Sequence, residues 1–183
     1  MKSGIRILSI DDSPFRKGEK RDLVIGIVSR GSTIEGVLSF YVEIDGSDAT
    51  DKILKKVKES RFSREIKLIA INGVTLAGLN IVDIKRLSEI LGIPIIAITR
   101  RKPNKKAMEN AIKNSGKDIK KKISLLREIN RLSKNIYLNN LYIQYIGISK
   151  SDLGKFVGEA YQMLRLAHII ASGVVKGESR GRV

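Results

Sequence analysis

The chain has 183 residues, 42% of them hydrophobic, which is enough for one buried core, so we expect a single domain over residues 1–183 with a basic tail from about residue 176. It contains no cysteine, which excludes disulfides and thiolate metal sites and leaves oxygen atoms and the one histidine as metal ligands. The 35 Lys and Arg against 19 Asp and Glu give a net charge of +16, which predicts a polyanionic partner, with nucleic acid as the first choice.

No apolar stretch is long enough to span a membrane, and the start of the chain lacks the apolar core of a signal peptide. We therefore expect a cytoplasmic protein with no membrane partner. An alternative source of the charge is that Lys-rich chains adapted to high temperature are often basic without binding anything. The clustering of the cations favours nucleic acid. The predicted contacts are Arg100, Arg101, Lys102, Lys105, Lys106, Arg180 and Arg182.

The first predicted strand covers residues 5–10 and runs directly into Asp11 and Asp12. Because side chains alternate along a strand, only one of these two acids can face a given site. Two acids at a strand end are typical of a metal site, but an Asx-type turn before Pro14 explains them equally well. This segment alone leaves both interpretations open.

A hairpin is predicted next, with strands over residues 23–29 and 33–44 and a turn between them. With the first strand it gives three antiparallel strands. Glu43 and Asp45 close the long strand on one face, so one of them can meet Asp11. Ser47 and Asp48 then cap a helix predicted to run to about residue 59.

Residues 68–103 are predicted to form a βαβ unit. Apolar runs at 68–71 and 93–98 are typical of parallel strands, and a helix is predicted over 79–91 between them. Sites in such sheets form beyond the carboxyl ends of the strands, which here means Asn72-Gly73 and Thr99-Arg100-Arg101. The glycines at 73 and 78 have phosphate-loop spacing but no following Lys-Ser/Thr, so no nucleotide cofactor is expected.

The second half of the chain is predicted to be mainly helical. Residues 105–115 and 118–133 form basic helices, and the apolar stripe of the second predicts that its lysines face solvent. Short strands follow around 136–148, and a last helix covers about 151–172. On spacing alone, His168 is a structural histidine at the edge of that helix's apolar stripe. The basic tail is either a frayed terminus or an arm that orders on a phosphate backbone.

Three segments resemble endonuclease V and, more closely, an archaeal family of endonuclease V-like proteins called endonuclease dU. The segment at 9–13 is similar to the family's first strand, with Asp11 on its first metal-binding aspartate. The central block is similar to a long motif in which Asn72-Gly73 falls on an Asp-Gly pair and Arg100 on a lysine. Leu164-Arg-Leu-Ala-His168 is similar to an Arg-x-Ala-His segment whose histidine is functional, which reverses the interpretation from spacing.

The resemblance implies an α/β, ribonuclease-H-like fold with a mixed central sheet, three antiparallel strands and then a parallel βαβ unit, flanked by helices. It implies a metal-dependent endodeoxyribonuclease of DNA repair that cleaves DNA containing deoxyuridine or deoxyinosine, with Mg²⁺ as cofactor and Mn²⁺ as the alternative. The implied metal ligands are Asp11, Asn72 and Asp45, with Glu43 as the alternative to Asp45. The implied catalytic residues are Asp11, Asp45, His168 and Arg100, the last as a phosphate clamp.

Asn72 departs from the family pattern, because it stands where the motif has an aspartate and its neutral amide oxygen is a weaker ligand for a divalent cation. This departure favours a second hypothesis, a nucleic-acid-binding relative that does not cleave. A ribonuclease acting on inosine-containing or structured RNA is the third, because the scaffold serves both polymers.

Overall fold

The computed structural model describes residues 4–16 and 18–179. Its main feature is a seven-stranded mixed sheet with the strand order β3-β2-β1-β4-β7-β9-β8, and a two-stranded hairpin, β5-β6, lies beside it. The elements are β1 (Arg6–Asp12), β2 (Arg21–Arg30), β3 (Thr33–Glu43), α1 (Ala49–Glu59), β4 (Ile66–Asn72), β5 (Thr75–Leu76), β6 (Asn80–Ile81), α2 (Ile84–Leu91), β7 (Ile95–Thr99), α3 (Lys105–Asn114), α4 (Ile119–Leu132), β8 (Lys134–Leu138), β9 (Leu141–Ile146) and α5 (Lys150–Lys176).

The strand directions confirm the predicted α/β architecture. β1, β2 and β3 pair antiparallel, whereas β1, β4 and β7 are mutually parallel neighbours. β9 then pairs antiparallel with β7, and β8 with β9. The central strands are runs of Ile, Leu and Ala because helices cover both of their faces, so neither face can be polar.

Helices occupy the two faces of the sheet unequally. α1, α2, α3 and α4 pack on one face around Leu8, Ile10 and Ile69. The long helix α5 covers the other face, where it buries Ile7 and Leu68 and, further along, residues of β2. Alternate residues of one strand therefore pack into different cores. A polar residue at the end of a strand likewise faces either α5 or the layer of α1 to α4. Among the described residues, no helix combines the length and apolar character needed to cross a bilayer.

The helix predicted over residues 79–91 begins later than expected, at Ile84. Asn80 is fully buried in the β5-β6 hairpin, where its side chain accepts a hydrogen bond from the amide of Ala49 and donates to the carbonyl of Glu43. These bonds fix an extended backbone at Asn80. Asp83 then caps α2 by accepting from the amide of Arg86.

The prediction that the lysines of α4 face solvent is wrong for Lys122, which is 2% exposed. Lys122 lies four and seven residues before Leu126 and Ile129, so helical spacing places it on the same buried stripe. Its ammonium donates to the backbone carbonyl of Asp45. The predicted tail contacts Arg180 and Arg182 lie outside the described residues.

Candidate active site

Three of the predicted site residues stand at one edge of the sheet. β1, β4 and β7 are parallel, with Ile10 in register with Ile71 and Asn72 in register with Ile98. Their carboxyl ends are therefore adjacent, and Asp11, Asn72 and Arg100 leave the sheet at the same edge.

Asp11 is the centre of a cluster on the face that α5 covers. Its side chain is only 3% exposed, and Oδ2 lies 3.4 Å from Nδ1 of His168, which α5 carries across the edge of the sheet. Asn72 donates from Nδ2 to both carboxylate oxygens of Asp11, each at 3.1 Å. The structure thus brings together a carboxylate, an amide and an imidazole that are distant in sequence.

The surroundings of His168 define its protonation. Nδ1 also lies 3.2 Å from the carbonyl oxygen of Asp12, and because both neighbours of Nδ1 accept hydrogen bonds, this nitrogen carries a proton. The hydrogen bond to Asp11 raises the pKa of His168, while burial opposes the rise. The ring is 45% exposed, and Nε2 faces Oγ of Ser172 at 3.5 Å. An imidazole with a proton on Nδ1 is thus reachable from solvent beside a buried carboxylate.

Arg100 lies beyond the carboxyl end of β7 and is oriented by α5. Its Nε donates to the hydroxyl of Tyr161 at 2.9 Å, and the residue is exposed. The rest of the guanidinium is therefore accessible to an anion from solvent. The neighbouring predicted contacts Arg101, Lys102, Lys105 and Lys106 are all exposed in the loop and first turn leading into α3.

Asp12 lies on the opposite face from Asp11, as strand alternation predicts. Its Oδ2 accepts a hydrogen bond from the amide of Ala77, in the segment between β5 and β6. Burial raises the pKa of Asp12 to about 7, with a further contribution from the charge of Asp11. The carboxyl group of Asp12 therefore stabilises the segment between β5 and β6 and not the cluster around Asp11.

The side chain of Asp45 is hydrogen-bonded to the segment between β5 and β6, and none of its hydrogen bonds in the described residues is to Asp11, Asn72 or His168. Asp45 follows β3 in a left-handed conformation, φ 53°, and Oδ1 accepts from the amide of Leu79 at 2.9 Å. Its own amide donates to the carbonyl of Ala77. The positive φ directs the carboxylate to the loop that Asp12 also holds, and alternation along β3 does not reveal such a turn. The alternative acid, Glu43, is exposed at the end of β3.

The residues around Asp11 offer few ligands for a divalent cation. No group of three or more His, Cys, Asp and Glu side chains in residues 4–16 and 18–179 is arranged to hold a metal. Mg²⁺ is nevertheless commonly bound through one or two carboxylates, with water and substrate phosphate filling the other positions. Asp11 and the amide oxygen of Asn72 fit that limited demand, although the amide nitrogen of Asn72 faces Asp11 here.

Asp22 was not identified from the sequence as a site residue. It lies on β2 beside β1, is 2% exposed, and accepts a hydrogen bond from Oγ of Ser13, while Oδ2 is buried without a partner. Burial raises the pKa of Asp22. The sequence predicted a strand that starts at Leu23, whereas β2 begins at Arg21. Asp22 therefore lies within the sheet, and its place next to the predicted strand was the signal that could have identified it.

Comparison of folds defines the class. The structure matches the catalytic domain of human endonuclease V with a TM-score of 0.56 and 12% identity, over 95% of this chain and 83% of that one. It matches a Ciona intestinalis endonuclease V, solved with a 23mer DNA containing an inosine followed by a ribo-adenosine, with a TM-score of 0.54 and 8% identity, over 90% and 82% of the two chains. The fold is therefore the ribonuclease-H-like fold of endonuclease V, as expected.

More similar proteins define the family. A UPF0215 protein of Methanothermobacter thermautotrophicus is 39% identical over 99% of this chain and 93% of its own. A crystal structure of a protein of unknown function from Archaeoglobus fulgidus matches with a TM-score of 0.84 and 32% identity, over 94% and 99% of the two chains. The family model described as endonuclease dU matches residues 3–175. The chain belongs to the endonuclease dU family, which confirms the predicted resemblance and supports a nuclease.

Proposed function

We propose that this protein is a metal-dependent endonuclease that cleaves DNA containing deaminated bases, with Mg²⁺ as the cofactor and Mn²⁺ as the alternative. One observation carries the proposal. The buried carboxylate of Asp11 meets His168 and Asn72 at the carboxyl edge of the sheet, where ligands bind in open sheets of this kind. Membership of the endonuclease dU family supports the choice of reaction.

The proposed roles follow from the contacts. Asp11 would hold the cation with the amide oxygen of Asn72, and the cation would supply an activated water and neutralise charge on the scissile phosphate. His168 keeps the proton of Nδ1 between Asp11 and the carbonyl of Asp12 and exposes the rest of its ring. In its charged form it can therefore donate from Nε2 to a leaving oxygen, and in its neutral form Nε2 can accept a hydrogen bond from the attacking water and orient it. Arg100, fixed at Nε by Tyr161, binds the phosphate with its remaining N–H donors.

Asp45 has a different proposed role from the one that its position in sequence implied. Its carboxylate and that of Asp12 bind backbone amides of the segment between β5 and β6. That segment begins four residues after Gly73, beyond β5, so the two acids hold the hairpin that follows Asn72 and Gly73. We assign them to positioning this hairpin, and we assign Asp11 to the metal.

A nucleic acid is the proposed partner because the described cations gather at the same edge, and the endonuclease dU family match supports DNA as the polymer. Arg100, Arg101 and Lys102 follow β7, and Lys105 and Lys106 begin α3. Such a group binds phosphates by displacing counterions and carries no sequence information. A deaminated base would be turned out of the stack for recognition, which costs least where pairing is already weakened.

A substrate panel tests the proposal. The purified protein is incubated with duplex DNA carrying one uracil, one hypoxanthine or neither, and with inosine-containing RNA, each with Mg²⁺ and with chelator. We expect Mg²⁺-dependent cutting of the uracil or hypoxanthine duplex and none of the unmodified duplex. If only the RNA is cut, the substrate is RNA and the proposal of DNA is wrong.

A second candidate is a nucleic-acid-binding relative that does not cleave. It is favoured by Asn72, which offers a neutral ligand and directs its amide nitrogen at Asp11. Tight binding of the same duplexes without cutting under Mg²⁺ or Mn²⁺ would support this candidate.

A further inference from the structure

Tyr137 is the most exposed aromatic side chain in the described part of the chain, at 59%. It lies on β8, the edge strand beside β9, and its ring packs edge to face against the buried ring of Tyr142, with 5.4 Å between the ring centroids. A turn through Asn139 and Asn140, both in the left-handed conformation, joins the two strands. The exposed ring is therefore carried by a paired hairpin and not by a loose loop.

The register of the sheet places Tyr137 near the cations that follow β7. Tyr137 is opposite Tyr142, and Tyr142 is opposite Thr99, the last residue of β7. Two strand spacings separate Tyr137 from Thr99, which is roughly 10 Å. The hydroxyl of Thr99 donates to the carbonyl of Arg101 at 2.8 Å, so the chain that leaves β7 stays close to the strand end. Tyr137 thus lies beside a basic segment, which carries Arg101, Lys102, Lys105 and Lys106.

The hairpin and the basic segment contain no acid of their own. The sequence has no Asp or Glu from residue 90 to residue 108 or from residue 129 to residue 151. Glu109, the first acid of α3, is bound by Arg127 at 2.9 Å. No carboxylate in residues 4–16 and 18–179 forms an ion pair with Arg101 or with the three lysines of the basic segment. The surface therefore combines uncompensated positive charge with one exposed ring.

We infer that an unpaired strand of nucleic acid binds across this surface, with phosphates on the basic segment and one base stacked on Tyr137. The cations bind phosphates whatever the sequence, and every base has a flat face that can stack on an aromatic ring. A base must leave its own stack to do so, so an unpaired strand fits this surface better than an intact duplex does.

This role of Tyr137 rests on the proposed function, because it extends the same substrate beyond the cleavage site. Ile143 and Tyr145 of β9 face α5, so alternation turns Tyr142 and its partner Tyr137 away from α5. Asp11 and Tyr137 therefore lie on opposite faces of the sheet at the same edge. Four strand spacings separate β1 from β8, which is roughly 19 Å. At a rise of about 3.4 Å per nucleotide, a strand that reaches both places spans roughly six nucleotides.

Fluorescence anisotropy of a labelled single-stranded DNA, recorded in chelator so that no metal-dependent cleavage occurs, tests this role. Tyr137→Ala removes the ring and Tyr137→Phe keeps it. Tyr41→Ala is the matched control, because Tyr41 is 56% exposed on β3, the opposite edge strand. We expect Tyr137→Ala to bind roughly tenfold more weakly, and Tyr137→Phe and Tyr41→Ala to bind like the wild type.

The dependence on salt separates stacking from charge. Tyr137→Ala should keep the wild-type slope of log affinity against log salt, because a stacked ring releases no counterions. Lys102→Gln should make this slope shallower by about 0.7, the value for one phosphate of a single strand. A shallower slope in Tyr137→Ala would contradict a stacking role.

A strand of the same length without bases is the control for the ligand. The loss in Tyr137→Ala should vanish on this abasic strand, which keeps every phosphate. Equal affinity of the wild type and Tyr137→Ala for the normal strand, or an equal loss on the abasic strand, would overturn the stacking role. If light scattering shows that Tyr137→Ala separates a dimer while its DNA affinity is unchanged, the ring is a contact between two copies instead.

The binding measurement and the cleavage assay give separate answers. A protein that cuts none of the proposed substrates can still show the loss in Tyr137→Ala, in which case only the proposed cleavage fails. A protein that cuts DNA with a deaminated base can bind the single strand equally well with and without the ring, in which case only the role of Tyr137 fails.

Discussion

Replacing Asn72 with aspartate tests the contact that most distinguishes this site. In the wild type, Nδ2 of Asn72 donates to both oxygens of Asp11 at 3.1 Å. Asn72→Asp replaces this donor with a carboxylate oxygen, so two negative charges face each other where a hydrogen bond existed. The variant should be less stable than the wild type in chelator and should gain more from Mg²⁺.

The size of the effect follows from the distance. Two unit charges 3.1 Å apart repel by roughly 1 kcal/mol in bulk water and by roughly 5 kcal/mol at an effective dielectric constant of about 20. Asn72 is exposed whereas Asp11 is buried, so about 2–3 kcal/mol is a reasonable intermediate. For a chain of this size that lowers the melting temperature by roughly 4–12 °C. Mg²⁺ at about 100 times its dissociation constant restores about 2.7 kcal/mol.

The assay is thermal melting of the wild type and three variants in chelator and in a Mg²⁺ series. Asn72→Ala controls for the lost donor without adding charge. Asn110→Asp, at an exposed position on α3, controls for adding a negative charge to a basic protein. Only Asn72→Asp should combine a lower melting temperature in chelator with a larger Mg²⁺ response. Equal Mg²⁺ shifts in the wild type and Asn72→Asp would refute the placement of Asn72 in a metal site.

Three further results are expected. Burial raises the pKa of Asp22 above its ordinary value of 3.8, so the folded protein binds this proton more tightly than the unfolded chain does. The stability of the folded state therefore falls as the pH rises from 3.8 through the raised pKa. Melting curves of Asp22→Asn recorded over this pH range should lack that fall. Arg100→Gln should weaken binding to all duplexes and lower the slope of log affinity against log salt by about 1, whereas the exposed Lys58→Gln, at the far end of α1, should change neither. Ile53→Ala empties a fully buried position and should cost about 2–5 kcal/mol in urea unfolding; a loss below about 1 kcal/mol would contradict the packing described.

The sheet was predictable because its signals are local and repeated. Apolar runs at β4 and β7 indicated parallel strands, and alternation at the end of β1 placed Asp11 and Asp12 on opposite faces, as the structure shows. The start of α2 was not predictable from periodicity, because the hydrogen bonds of Asn80 to Ala49 and Glu43 override it.

The site was less predictable because its partners meet only in the folded chain. Spacing along α5 made His168 a boundary residue, and only the packing of α5 across the sheet brings it to Asp11. Asp45 lies two residues beyond the end of β3, so alternation along the strand does not give its direction. Its left-handed backbone turns the carboxylate to the amide of Leu79. The burial of Lys122 was not predictable either. A lysine on a buried stripe ordinarily extends its ammonium to solvent, and the carbonyl of Asp45 that accepts from this ammonium is brought to it only by the fold.

The most direct test of the central claim is single-turnover cleavage of a uracil-containing duplex in Mg²⁺ by Asp11→Asn and Asp12→Asn. Both changes replace a carboxyl group with an amide at adjacent residues and preserve side-chain shape. The account predicts that Asp11→Asn cleaves slower by about a hundredfold or more while it still binds the duplex, because it removes the carboxylate proposed to hold the metal. Asp12→Asn keeps an oxygen that can accept from Ala77 and should retain most of the wild-type rate. Equal rates for the two variants, or a larger loss in Asp12→Asn, would contradict the placement of the active site at Asp11.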